Sequence, residues 1–175
     1  EFPAAPDSVV DIVPDSFKLL FKFLPALRLN PASLKYRVSG TTVREAATPE
    51  RWALDKESPF ERMRVLDPEP VEWVLKEAMA SLEKTFPAFK GAAIAERWAG
   101  AIDVTPDAVP VISPVEQVPG FFLASGFSGH GFGLGPGAGR LMADLVTGAP
   151  PIVDPTPFRY KRLIDGTKPE LIVGF

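Results

Sequence analysis

The sequence predicts an α+β fold on three observations: one long stretch with apolar residues at helical spacing, several short runs with alternating or continuous apolar character, and 20 prolines that cut 175 residues into brief elements. In chain order, residues 1–15 are proline-rich and read as an irregular connecting segment. Ser16 to Leu24 reads as a short helix, interrupted at Pro25 and closed by Asn30-Pro31. Its Phe17-Lys-Leu-Leu-Phe-Lys-Phe-Leu run is expected to pack its apolar face inward, the alternative being contact with a membrane surface.

Apolar and polar residues partly alternate over 34–43 and 51–66, which predicts strands. Asp67-Pro68 is an N-cap and first-turn signal, and Val71, Val74, Leu75, Ala78, Leu82 and Phe86 then follow a helical period, predicting a helix over about 68–85. Residues 92–98 and 109–112 are expected strands on either side of a loop. Gly120 to Ser125 is a continuous apolar strand expected to be covered on both faces. A glycine-rich loop follows, and Pro136 is expected to open a helix that Gly148, Pro150 and Pro151 terminate. The basic, aromatic tail from Phe158 to Arg162 reads as a solvated end. Trp98 reads as a core aromatic with a minor prospect of lining a site, and Trp52 and Trp73 read as packing residues.

A hydrophobic content of 46% with 23% charged residues is a globular composition. A net charge of −3 gives no general field for nucleic acid. The absence of cysteine excludes disulfides, thiolate metal sites and thiol nucleophiles, and a single histidine, His130, argues against an imidazole-based zinc centre, so no metal is expected. Neither a signal-peptide pattern nor a spanning run of about 18 apolar residues is visible. The expectation is a cytoplasmic protein, with peripheral contact to the inner membrane left open by the Phe17–Leu24 stretch.

Chemistry concentrates between Gly126 and Gly139, where seven glycines lie between a strand and a helix start. Glycine lets a flat ligand approach backbone amides closely, and a helix N-terminus offers unpaired N–H groups and a favourable dipole to a developing anion. The loop lacks the Lys-Ser/Thr ending of a P-loop and has no G-x-G-x-x-G in register, so a nucleotide phosphate is the weaker candidate. From spacing alone a ligand loop and a close crossing of two backbones are equally good readings.

The segment from Trp98 through Thr105-Pro-Asp to Ile112, then Gly120-Phe-Phe-Leu-Ala-Ser-Gly-Phe-Ser-Gly-His-Gly-Phe132, then a helix ending at Gly148, resembles the C-terminal signature of the D-amino-acid oxidase superfamily of FAD-dependent oxidoreductases. Glycine oxidase, sarcosine oxidase and D-amino-acid dehydrogenases are members. The resemblance covers residues 96–148 in three ordered motifs; upstream only the general elements match. It implies a substrate-domain portion with a mixed sheet and helices over residues 1–95, and the strands and helix of a return into the FAD-binding domain over residues 96–175. In such enzymes FAD binds mainly through an N-terminal Rossmann unit, which this sequence does not contain. The expectation is therefore a C-terminal fragment or subunit that is inactive alone and partners the missing N-terminal segment.

By the same resemblance, Gly129, His130, Gly131, Phe132 and Gly133 match the loop at the pyrimidine edge of the flavin ring. Gly100 stands where monomeric sarcosine oxidase carries its flavin-linking cysteine, so FAD is expected to be non-covalent. Gly133 stands where that enzyme has a lysine associated with oxygen activation, which implies electron delivery to a carrier or quinone. Ile102, followed by Asp103, stands where an arginine grips the substrate carboxylate in glycine oxidase. The substrate is then held by another arginine (Arg37, Arg44, Arg62 or Arg64) or is an amine whose positive group lies near Asp103. The implied reaction is oxidation of the C–N bond of an amino acid or secondary amine by hydride transfer to flavin. The competing class is a non-catalytic assembly or regulatory module that keeps the scaffold without flavin, and a homo-oligomer is compatible with either. Asp107 reads as a turn stabiliser rather than a catalytic group.

Overall fold

The computed structural model describes residues 8–29 and 34–168; the expected helix stop at Asn30-Pro31 lies outside them. The chain divides into two compact units, one comprising Glu1–Leu19 and Pro31–Ala101, the other Leu20–Asn30 and Ile102–Phe175. The content is mixed helix and strand.

In the first unit, β1 (Ser8–Asp11) pairs in parallel with β2 (Leu34–Arg37), Val10 opposite Tyr36 and Asp11 opposite Arg37. Among the described residues this two-stranded pair takes the place of the expected mixed sheet. The Arg37 guanidinium closes the register, donating from Nε to Asp11 Oδ1 at 2.6 Å and from Nη2 to Oδ2 at 3.2 Å. Helix α1 (Pro14–Leu29), whose residues from Leu20 on are counted with the second unit, starts two residues earlier and ends five later than the sequence predicts. Pro14 suits the first helical position, and the Ser16 hydroxyl accepts from the Val13 amide at 3.2 Å. Pro25 lies inside the helix rather than ending it. Phe17 and Phe21 are largely exposed, contrary to the inward packing expected of them.

The strands expected over 34–43 and 51–66 are corrected. After β2 the chain turns into α2 (Gly40–Ala47), and the later stretch is irregular apart from α3 (Pro59–Arg62). Capping explains both. The Ser39 hydroxyl accepts from the Thr41 amide while the Ser39 amide donates to Thr42 Oγ1, each at 3.1 Å. Ser58 Oγ accepts from the Glu61 amide at 3.1 Å, and Glu61 Oε2 accepts from the Ser58 amide at 2.8 Å. These reciprocal bonds satisfy donors at the helix start and outweigh the strand preference of Thr41, Thr42 and Val43. Helix α4 (Glu72–Thr85) is present as expected but begins four residues late. Pro70 forces Glu69 out of the helical region, so Asp67 cannot cap it. No strand forms over 92–98. Trp98 is 77% exposed, not a core aromatic. Trp52 packs edge-on against Phe60 at 5.6 Å, and Lys35 Nζ sits 3.9 Å over the Trp73 ring.

The second unit holds the buried apolar residues. Strands β3 (Val111–Pro114) and β4 (Phe122–Ser125) pair antiparallel, Val111 opposite Ser125 and Pro114 opposite Phe122. Val111 and Ile112 on β3, with Ala138 and Leu141 on helix α5 (Gly131–Thr147), are buried, and Phe127, Met142, Leu145 and Phe158 pack around Ile112, Ala138 and Leu141. β4 is half-exposed rather than covered on both faces, with Phe121 and Ala124 on the surface. α5 ends at Gly148, whose φ of +71° and amide bond to the Asp144 carbonyl make a left-handed stop.

The tail is corrected from a solvated end to an anchor. Arg162 is buried and donates from Nε to Asp107 Oδ2 at 2.7 Å, from Nη2 to Asp107 Oδ1 at 3.1 Å and from Nη1 to the Arg159 carbonyl at 3.0 Å. The Tyr160 amide donates to Ser113 Oγ at 2.8 Å, and buried Asp144 accepts from the Ile152 amide at 3.2 Å and Arg140 Nε at 2.9 Å. No described helix is long and apolar enough to cross a membrane.

Removing one member of a buried, bidentate ion pair strands the other without solvent. Arg162→Ala is accordingly expected to lower unfolding stability by about 3–5 kcal/mol, read from urea denaturation, whereas Lys161→Ala, at an exposed pair with Glu116, should change it by less than about 1 kcal/mol.

Candidate functional site

Residues 126–133 carry the chain from β4 into α5, and the backbone there is unusual. Gly126, Ser128 and Gly129 have φ of +74°, +50° and +84°. Left-handed conformations cost little at glycine and more at serine, so neighbouring bonds must hold Ser128 in place. They come from the strip Asp103–Asp107. The Ser128 amide donates to the Asp103 carbonyl at 3.0 Å. The Thr105 amide donates to Ser128 Oγ at 3.2 Å, and Ser128 Oγ donates to the Gly126 carbonyl at 3.3 Å. Asp103 Oδ2 accepts from Ser125 Oγ at 2.7 Å and from the Gly126 amide at 2.5 Å.

Gly126 is required by space as well as by φ. A Cβ there would lie 2.4 Å from Thr105 Cγ2. The close-packing reading of the glycine run therefore holds at Gly126, which passes against the Thr105 side chain; the glycines beyond it are open. At Gly129, Gly133 and Gly135 an added Cβ would meet nothing within 4 Å.

The sequence places the helix start at Pro136; the structure places it five residues earlier, at Gly131. Poor glycine propensity argues against a helix here, but the turn delivers the chain in helical geometry and the Leu134 amide donates to the His130 carbonyl at 3.1 Å. Pro136 lacks the N–H that would reach the Phe132 carbonyl. His130 is the N-cap and its side chain makes no capping bond; its amide is taken up by the Phe127 carbonyl at 2.8 Å. Among the described residues, the amides of Gly131, Phe132 and Gly133 in the first turn have no acceptor. The Phe132 side chain is wholly exposed.

Of the other expected site residues, Gly100 is exposed with open space around it, and Ile102 is 66% exposed. Asp103 commits one carboxylate oxygen to the turn; the Ser125 hydroxyl first, then the Gly126 amide, hold its carboxyl below the usual carboxylate range. Of the arginines considered for a substrate carboxylate, Arg37 is paired with Asp11, Arg62 with Glu57 at 3.3 Å and Arg44 with Glu45 at 3.7 Å. No group of His, Asp and Glu side chains among the described residues could hold a metal ion.

The far end of the strip is anchored at Asp107, whose Oδ1 accepts from the Val109 amide at 3.1 Å in addition to the Arg162 bonds. Burial would raise its carboxyl, but Arg162 and the Val109 amide outweigh burial and the net displacement is downward. The sequence marks Asp107 as a turn residue and gives no sign of Arg162, because the two are separated by 55 positions and no local pattern links them.

Unpaired first-turn amides beside open glycines make this helix start favourable to a ligand atom that carries negative charge. The family model described as FAD dependent oxidoreductase, DAO, matches residues 27–145. Glycine oxidase of Pseudomonas putida is 36% identical over 92 residues, 53% of this chain and 25% of that protein. D-amino acid dehydrogenase 2 of Ralstonia nicotianae is 34% identical over 97 residues, 55% of this chain and 23% of that protein. The structure of L-amino acid deaminase from Proteus myxofaciens in complex with anthranilate superposes with a TM-score of 0.83 at 33% identity, covering 90% of this chain and 35% of that one. The chain thus spans about a quarter of the length of the two sequence relatives.

Two outcomes follow from this geometry. Gly126→Ala should destabilise the protein by about 2–3 kcal/mol, and adding Thr105→Ser, which removes Cγ2 but keeps the hydroxyl, should recover the steric part and leave about 1 kcal/mol of left-handed strain. A lowered folded pKa at Asp107 contributes stability that is complete above the unfolded value of about 3.9 and is lost as pH falls through the lower folded value. Urea midpoints measured from about pH 6 down through the unfolded value of about 3.9 should fall at the acid end, and Asp107→Asn should flatten that fall.

Proposed function

The chain belongs to the DAO family of FAD dependent oxidoreductases, and on that premise we propose that it supplies the flavin-facing return segment of an enzyme that oxidises the C–N bond of an amino acid or secondary amine. The observation that carries this reading is the row of unpaired amides at Gly131, Phe132 and Gly133, which open α5 beside glycines that leave the approach clear. The names of the relatives, glycine oxidase, D-amino acid dehydrogenase and L-amino acid deaminase, support the substrate class.

When bound, FAD supplies acceptance of a hydride from the carbon bearing the nitrogen, which leaves negative charge over N1 and O2 of the ring. The amides of Gly131, Phe132 and Gly133 are fixed donors for that charge; the α5 dipole adds to them, and neither needs to reorganise during the reaction. Gly129 and His130 carry the turn that delivers them. Gly100 offers no thiol, so the flavin is held without a covalent bond. The grip on adenine and pyrophosphate is assigned to parts of the enzyme that this chain does not match, since the matched stretch covers 25% and 23% of those two relatives, and on that reading the chain alone is inactive. Ile102 cannot clamp a carboxylate, so the substrate carboxylate or amine is recognised elsewhere. Gly133 offers no cation for oxygen activation, and a carrier or quinone is the favoured electron acceptor.

The full-length protein should purify yellow, release its flavin on denaturation, and bleach on anaerobic mixing with amino-acid or secondary-amine substrates. Turnover should be faster with a quinone or dye acceptor than with oxygen. A colourless protein that takes up no added FAD, or a flavin unaffected by every amino acid and amine tried, would contradict the proposal.

A further inference from the structure

The turn into α5 contains three left-handed residues and one buried hydroxyl, and nearly every bond that stabilises it comes from Asp103 and Thr105. Asp103 contributes most. Its carbonyl takes the Ser128 amide, and its Oδ2 takes both the Ser125 hydroxyl and the Gly126 amide, so one residue holds the last residue of β4 and the first and third of the turn. These acceptors take the Ser125 hydroxyl and the Gly126 and Ser128 amides, the His130 amide goes to the Phe127 carbonyl, and the amides of Gly131, Phe132 and Gly133 keep no acceptor.

We propose that Asp103 is a positioning residue for the flavin, its carboxylate locking the β4–α5 turn so that the first-turn amides of α5 stay aligned on the electron-accepting edge of the ring. This rests on the functional reading above and replaces a direct contact between Asp103 and the substrate amine. The site acts through geometry, so its loss weakens flavin binding and flavin polarisation together. A carboxylate that merely contributes a nearby negative charge behaves in the opposite way, because removing it would favour an anionic flavin adduct.

The test compares the full-length flavin-loaded protein with Asp103→Asn and Ser125→Ala. Ser125→Ala keeps the carboxylate charge and removes one of its donors. Read out are the FAD dissociation constant, the affinity of the flavin for sulfite (which forms an anionic adduct at N5), and the split between kcat and KM. Charge-assisted bonds of this kind are worth about tenfold or more in an equilibrium constant. Asp103→Asn is expected to raise the FAD dissociation constant about tenfold and weaken sulfite binding by a similar factor; Ser125→Ala should move both in the same direction by about threefold. Should Asp103→Asn fail to fold, Ser125→Ala decides. Tighter sulfite binding in Asp103→Asn, or a raised KM with FAD and sulfite affinities unchanged, would overturn the assignment, the latter in favour of a substrate contact. A wild-type protein that binds no FAD overturns the functional reading and this inference together, whereas a yellow wild type with two indistinguishable variants overturns this inference alone.

Discussion

The strip from Asp103 to Asp107 is the constraint on which the second unit depends. At one end it accepts or donates the bonds that hold Ser125, Gly126 and Ser128; at the other it is fastened by the Asp107–Arg162 pair. The contact between Thr105 and Gly126 is so close that only glycine fits. A turn with three left-handed residues would relax in isolation, and the strip is what makes it a single conformation.

On the proposed function, rigidity there has a chemical use. Donors that stabilise a developing charge are most effective when already in place, because no free energy is then spent turning them toward it. The first turn of α5 meets that condition: its amides are unpaired by the geometry of any helix start, and the strip and the buried Leu141 and Ala138 fix the direction in which they point. The tail reinforces the arrangement through Asp144, Ser113 and Arg162, each a buried polar group with its partners satisfied.

Much of this is legible in the sequence. The helical period fixes α4, the apolar runs locate β3 and β4, and the glycine run between a strand and a helix marks the candidate site, while the Thr-Pro-Asp and His-Gly-Phe motifs carry the family. What the sequence misrepresents has local physical causes. β-branched Thr41, Thr42 and Val43 suggest a strand, but reciprocal capping at Ser39 overrides propensity. Glycine at 131, 133 and 135 suggests a loop, yet Pro136 proves to lie inside the helix. Arg162 looks like a solvated cation because its partner is remote in sequence. In the first unit Trp98, Val65 and Leu54 are strongly exposed, so apolar character alone does not predict a core position there.

On the proposed function, the amides opening α5 face the flavin. Hydrogen–deuterium exchange of the backbone from Gly129 to Leu134, measured on the full-length protein with and without FAD, tests it directly. Strong slowing of exchange at Gly131, Phe132 and Gly133 on flavin binding, and further slowing when the flavin is reduced, is the expected result. Exchange at these three residues that is the same in flavin-free, oxidised and reduced protein would contradict it.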